Sequence, residues 1–193
     1  MNTVKRLIPE TDPLLTTKLD PFVWYDDHPE KAKEMHEQLI DTMYEFNGVG
    51  LACNQIGHPY RVFAMIHEGE PMTIFNPRIT DISEDLVKME EGCLTYPGLF
   101  VKIDRPKSIS VQFADYEGQI MQAYFSDLSA RIFQHEFDHI NGEVFFDLAS
   151  NTDMSQGRRK RKAYLRKMKK ENSKLWQNHI KNKELKKNIQ KTL

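Results

Sequence analysis

Two histidines four residues apart, in His135-Glu136-Phe137-Asp138-His139, constrain this chain more than any other feature. Residues i and i+4 of an α-helix lie one above the other, so both imidazoles reach one metal ion only if this segment is helical. The flanks agree, since Ser126 is a residue type that opens helices and Gly142 just past Asn141 is one that ends them. The spacing predicts a helix over 126–141 with Leu128, Ile132, His135 and His139 on its inward face. Glu136, between the histidines, is placed to handle protons on a water held there. The motif fixes only three positions, and a buried helix with two hydrogen-bonded histidines reads the same, so a third ligand has to decide.

A metzincin protease supplies a histidine six residues after the second one. Gly142 matches the glycine of that pattern, but Phe145 stands where its last histidine belongs. A gluzincin takes a glutamate from a later helix. Here Glu143 is too close to His139, while Glu171 and Glu184 lie in a basic stretch with few apolar residues. Upstream, Cys93 in Glu90-Glu91-Gly92-Cys93-Leu94-Thr95-Tyr96-Pro97-Gly98 offers a thiolate. One thiolate and two imidazoles leave a fourth position open for water. The alternative for Cys93 is a small core side chain. A third cluster, Gly48-Val49-Gly50-Leu51-Ala52-Cys53-Asn54-Gln55, suits a backbone that passes close to a ligand, with Gln55 able to donate an amide hydrogen. Structural turns rich in glycine look alike.

The remaining elements come from periodicity and punctuation. A helix over 29–46 carries Met35, Leu39, Met43 and Phe46 as its stripe and stops at Asn47-Gly48. Residues 9–15, with Pro9 and Pro13, form an irregular lead-in. Short strands follow at Val62–Ile66 and Thr73–Phe75, the latter ending at Asn76-Pro77, and Ile109–Phe113 with Ile120–Phe125 form a hairpin. At 193 residues the chain suits one ordinary domain. No apolar run approaches the roughly 20 residues of a membrane span. The N-terminus has no apolar core of a signal peptide, which predicts the cytoplasm. There the two cysteines, Cys53 and Cys93, stay unpaired.

Charge divides the chain. From Gly157 onward lie 15 of its 27 basic residues and two of its 28 acids, giving a tail of +13 and a body of −14. We therefore expect a domain over 1–156 and a basic extension over 157–193, a helix that docks one narrow stripe drawn from Leu165, Met168, Leu175, Trp176 and Ile180.

Together the three clusters resemble the signatures of the peptide deformylase family: Gly-x-Gly-Leu-Ala-Ala-x-Gln, Glu-Gly-Cys-Leu-Ser and Gln-His-Glu-x-Asp-His. This chain has Gly48–Gln55, Glu91-Gly92-Cys93-Leu94-Thr95 and Gln134–His139, in family order and over roughly residues 5–150. It departs at Cys53, where the family has alanine, and at Thr95, which keeps the hydroxyl of the usual serine. The resemblance implies an α+β fold: a single domain with short antiparallel sheets around the His-Glu-x-x-His helix, an N-terminal helix and the basic C-terminal helix. It implies hydrolysis of the N-formyl group from the N-terminal formylmethionine of nascent polypeptides, releasing formate.

On that reading Cys93, His135 and His139 hold one divalent metal ion, Glu136 transfers the proton, and the Gln55 amide and Leu94 backbone N–H meet the oxyanion. Gly48, Val49, Gly50, Leu128 and Ile132 border the methionine. Ligand types alone favour zinc. The resemblance implies ferrous iron, with zinc, nickel or cobalt replacing it in purified protein. Glu91 is expected to pair with Arg105, and Asp138 to support the fold. The basic tail is expected either to meet ribosomal RNA beside the emerging substrate or to be a solvated helix without a partner. A bacterial, phage or organellar source would each fit the resemblance, and the expected location is the cytoplasm of a bacterium or of a phage's bacterial host.

Overall fold

The computed structural model describes residues 3–24 and 30–192, with side chains described as far as Lys174. Helix α1 spans Glu30–Glu45 and α2 spans Asp127–Asn141. Between them run seven strands: β1 (Gly50–Ala52), β2 (Val62–His67), β3 (Glu70–Ile82), β4 (Leu86–Gly92), β5 (Phe100–Pro106), β6 (Ser108–Ala114) and β7 (Ile120–Ser126). Strands β1-β2-β3-β6-β7 form one antiparallel sheet in that order, and β4-β5 form a separate hairpin. The chain ends in a long helix, α3, over Asn151–Thr192. The architecture is the expected α+β arrangement.

The sheet packs against α1 and α2 through Leu39, Met43, Phe63, Ile74, Phe75, Phe125 and Phe133, each nearly free of solvent. A smaller cluster of Tyr96, Leu99, Val101, Ile103, Val144 and Phe145 lies under the β4-β5 hairpin. Phe145, where a protease histidine would stand, packs 5.1 Å from the His135 ring.

Several local expectations need correction. The β2-β3 turn is only Glu68-Gly69, both at positive φ, as a two-residue hairpin demands. Strand β3 does not end at Asn76-Pro77. The register shifts between Phe75 and Arg78, so Pro77 occupies a bulge where no ladder N–H is needed, and Asn76 takes φ 49. Strands β4 and β5 were not anticipated, because Leu86-Val87-Lys88-Met89-Glu90-Glu91-Gly92 buries a glutamate rather than an aliphatic side chain. Ser126 precedes α2 but its side chain makes no capping bond; α2 does stop at Gly142, with φ 76. Phe46 lies past the end of α1 and is partly exposed. Pro29 lies outside the described residues, as do the side chains of Leu175, Trp176 and Ile180. Helix α3 begins at Asn151, six residues before the charge boundary.

Candidate active site

Two elements meet at Cys93. It follows the last residue of β4, Gly92, and faces two side chains presented by α2, His135 and His139. One ligand atom from each of the three lies within 4.8 Å of the others, with Cys93 Sγ 3.2 Å from His139 Nε2. Among the described residues this is the one such cluster of His, Cys, Asp and Glu. Cys93 also touches the cluster under the β4-β5 hairpin, but its sulfur faces the two imidazoles.

The charges around it are buried and ordered. Glu91 Oε2 accepts from His135 Nδ1 at 2.9 Å, which turns the other ring nitrogen toward Cys93. Arg105 grips both Glu91 oxygens, at 2.7 and 3.0 Å, as the sequence suggested. Arg131, one turn before His135, also reaches Glu91 Oε1, at 2.8 Å, and donates to the carbonyls of Ile103 and Val87. Asp138 Oδ2 lies 2.7 Å from Arg105 Nη1, a close ion pair but not an aligned hydrogen bond. Sequence reasoning missed Arg131. Its signal was a cation on the inward face of an amphipathic helix, where an unpaired charge is too costly to bury.

These contacts set the protonation states. Burial works against the Glu91 carboxylate, but hydrogen bonds from His135 and Arg105 bring it down to about 2. Burial likewise opposes the Cys93 thiolate, yet the facing imidazoles of His139 and His135 hold the thiol well below its usual range. His135 is raised to about 10 against its burial, by hydrogen bonds with Cys93 and Glu91. A pocket that holds a proton this firmly favours positive charge beside Cys93, so the donors fit a divalent cation in chemistry as well as spacing. His139 Nδ1 is buried with no hydrogen-bond partner, and so is Glu136 Oε2. Desolvation raises Glu136 to about 7, with the histidines opposing, a value matched to proton transfer near neutral pH.

The carboxylate of Glu136 presses so closely on β1 that a Cβ on Gly50 would collide with it and with Ile132. Only glycine leaves that room, which is the close approach read from the first cluster. Gln55 sits beneath, accepting from the Ala52 N–H at 2.8 Å and turning its Nε2 to Cys93 Sγ at 3.3 Å and Thr95 Oγ1 at 3.0 Å. The hydroxyl that Thr95 retains is thus in use. Cys53 is fully buried and bonds to the carbonyls of His58 and Tyr60, away from the centre.

A cavity of about 630 Å³ opens beside these groups. Every residue expected to act on or border the substrate lines it: Gly48, Val49, Gly50, Gln55, Leu94, Leu128, Ile132 and Glu136, along with Cys93 and His135. Leu128 does not face inward as expected. It is 56% exposed and, like Val49, stands at the cavity mouth, whereas Ile132 is buried. Phe100 and Tyr164 join the lining without having been singled out in the sequence, and Phe46, expected as part of the α1 stripe, lines it too, as does Gly98.

A family model described as Polypeptide deformylase matches residues 4–155. A peptide deformylase of Thermotoga petrophila is 40% identical over 139 residues, covering 72% of this chain and 83% of the relative. The crystal structure of peptide deformylase from Thermotoga maritima superposes with a TM-score of 0.72 at 37% identity, covering 76% of this chain and 98% of that one. A peptide deformylase from Synechococcus elongatus, solved in complex with actinonin, gives 0.72 at 30% identity over 79% of this chain and 83% of its own.

Proposed function

The chain belongs to the polypeptide deformylase family, and on that premise we propose that Cys93, His135 and His139 hold its metal while Glu136 moves the proton. It is a metal-dependent hydrolase that removes the N-formyl group from nascent peptides. The observation that carries the assignment of roles is the unpartnered, buried oxygen of Glu136, in a cavity whose lining it shares with Cys93 and His135.

A divalent cation bound there supplies Lewis acidity and makes water a competent nucleophile near neutral pH. Glu136 accepts the proton of the attacking water and later passes it to the amine, so that the C–N bond breaks and formate departs. Gln55, with its amide nitrogen already turned to Cys93, and the Leu94 N–H receive the charge that develops on the formyl oxygen. Ile132 forms the floor for the methionine side chain, Val49 and Leu128 its rim, and the backbone at Gly48 and Gly50 borders the peptide. Ferrous iron is our choice of native metal, with zinc, nickel or cobalt as replacements after purification. Metal analysis of anaerobically purified protein tests that choice.

Glu136→Gln is expected to keep the metal and lose formate release from a formyl-Met peptide by at least about 10²-fold. A fully active variant would remove Glu136 from the mechanism.

Residues 1–156 are proposed as the catalytic domain and 157–193 as an extension that contacts ribosomal RNA, in the cytoplasm of a bacterium or of a phage's bacterial host. Arg158, Arg161, Lys162, Arg166 and Lys169 gather on one stretch of α3, a density of cations that suits phosphates. Removing residues 157–193 should abolish co-sedimentation with ribosomes at moderate salt. Undiminished binding would show the tail to be a solvated helix.

A further inference from the structure

The cavity that holds Glu136 and Cys93 has a wall contributed by α3, through Tyr164. The Tyr164 ring lies on Gly98 so closely that a Cβ there would clash with three of its atoms, and Gly98 itself has φ +77. Nothing about this contact is a loose tail touching a surface. One turn earlier, Arg161 donates from Nε to the Pro97 carbonyl at 3.3 Å and pairs through Nη2 with Glu10. Lys160 reaches Glu90 at 3.3 Å, and Gly157 is buried against Val101 and the backbone of Phe100. The helix is therefore pinned on both sides of the loop that follows β5's partner strand β4. Phe100, half-exposed, lies over Gly92 and lines the same cavity.

At about 630 Å³ the cavity is of the size that takes a drug-sized ligand, more than one methionine side chain requires. Its lining continues from the catalytic groups to three aromatic rings that the chemistry at the formyl group does not use, Phe46 and, packed on either side of the loop after β4, Phe100 and Tyr164. We infer that Tyr164, with Phe100, is a specificity determinant of the deformylation reaction: together they receive an apolar side chain of the peptide segment that follows the formylmethionine. The inference rests on reading this cavity as the substrate groove. The occupant follows from continuity, because a peptide whose formyl group reaches Glu136 must leave through the same cavity. An aromatic ring is a rigid contact that loses little entropy on binding, so it discriminates by shape and apolar area.

The test compares formyl-Met amide with a formyl-Met peptide extended by leucines, measuring formate release from the metal-loaded, full-length enzyme. Tyr164→Ala should raise KM for the long peptide roughly five- to tenfold with little change in kcat, lowering the long-to-short ratio of kcat/KM by the same factor. Tyr164→Phe keeps the ring and should keep the ratio. Lys167→Ala, on the exposed side of the same helix, should not move it. A loss in Tyr164→Ala that is equal for both substrates, or absent, overturns the inference while leaving the deformylase reading intact. A wild-type enzyme that releases formate from neither substrate overturns both.

Discussion

The catalytic body and the C-terminal helix use charge in opposite ways. Around Glu91 the charges are few and buried: Arg105, Arg131 and His135 all converge on one carboxylate, and none of the four is more than 8% exposed. Along α3 they are many and wet, as in Lys167–Glu171, 3.9 Å apart with both side chains at least half exposed. A buried carboxylate that accepts four charge-assisted hydrogen bonds fixes positions to fractions of an ångström. Apart from Lys160 and Arg161, which hold the helix to the body, that solvated row of cations offers only a field that salt can screen. The same residue types thus build a scaffold for chemistry in one region and a solvated surface in the other.

The contrast predicts a steep gradient of mutational effects. Glu91→Ala would strand Arg105 and Arg131 in the interior and free the His135 ring, so it should cost about 3–5 kcal/mol in chemical denaturation. It should also weaken metal affinity by about 10–100-fold. Acid should act on the same carboxylate. Its folded value of about 2 lies below the ordinary 4.5, so its contribution is complete above about pH 4.5 and is lost as pH falls toward 2. The urea midpoint of metal-free wild type should accordingly drop more between pH 6 and pH 3 than that of Glu91→Gln. An equal drop in both would mean that the network does not set acid stability.

Cys53→Ala should lie in the middle of the range, at about 1 kcal/mol, because it removes one buried sulfur and restores the residue usual in the family. Burial pushes the Cys53 thiol up to about 12, so a thiol reagent should leave it unmodified in the native protein at pH 8. Rapid labelling would contradict its enclosure. At the bottom of the range, Lys167→Ala should shift stability by no more than about 0.5 kcal/mol. A change above 1 kcal/mol would erase the distinction between the two regions.

What could be read from the sequence follows the same division. His135 and His139 were legible because a shared ligand on a helix fixes residue type and spacing together, Cys93 only through the resemblance of its segment to the family signature, and the Glu91–Arg105 pair because a buried acid needs a cation. Arg131 was not, since one carboxylate can satisfy several cations and the sequence does not say how many. The β4-β5 hairpin was hidden because its buried face includes Glu91, paired by contacts remote in sequence. The bulge at Asn76-Pro77 looked like a strand end, because proline breaks a ladder whether or not the strand resumes. Tyr164 was legible only as one more side chain of a basic helix. Its place in the cavity depends on a tertiary contact with Gly98, 66 positions away.

The ion pair between Glu10 and Arg161 joins points 151 residues apart. Around it the helix is held by Gly157 on Val101, Tyr164 on Gly98 and Lys160 at Glu90. Fewer buried groups hold this seam between α3 and the body than hold the sheet to α2, so α3 is expected to lose hydrogen-exchange protection before the sheet and α2 do. A parting of that seam would widen the cleft at its aromatic end while leaving Cys93, His135 and His139 on the body, where the deformylated peptide is released.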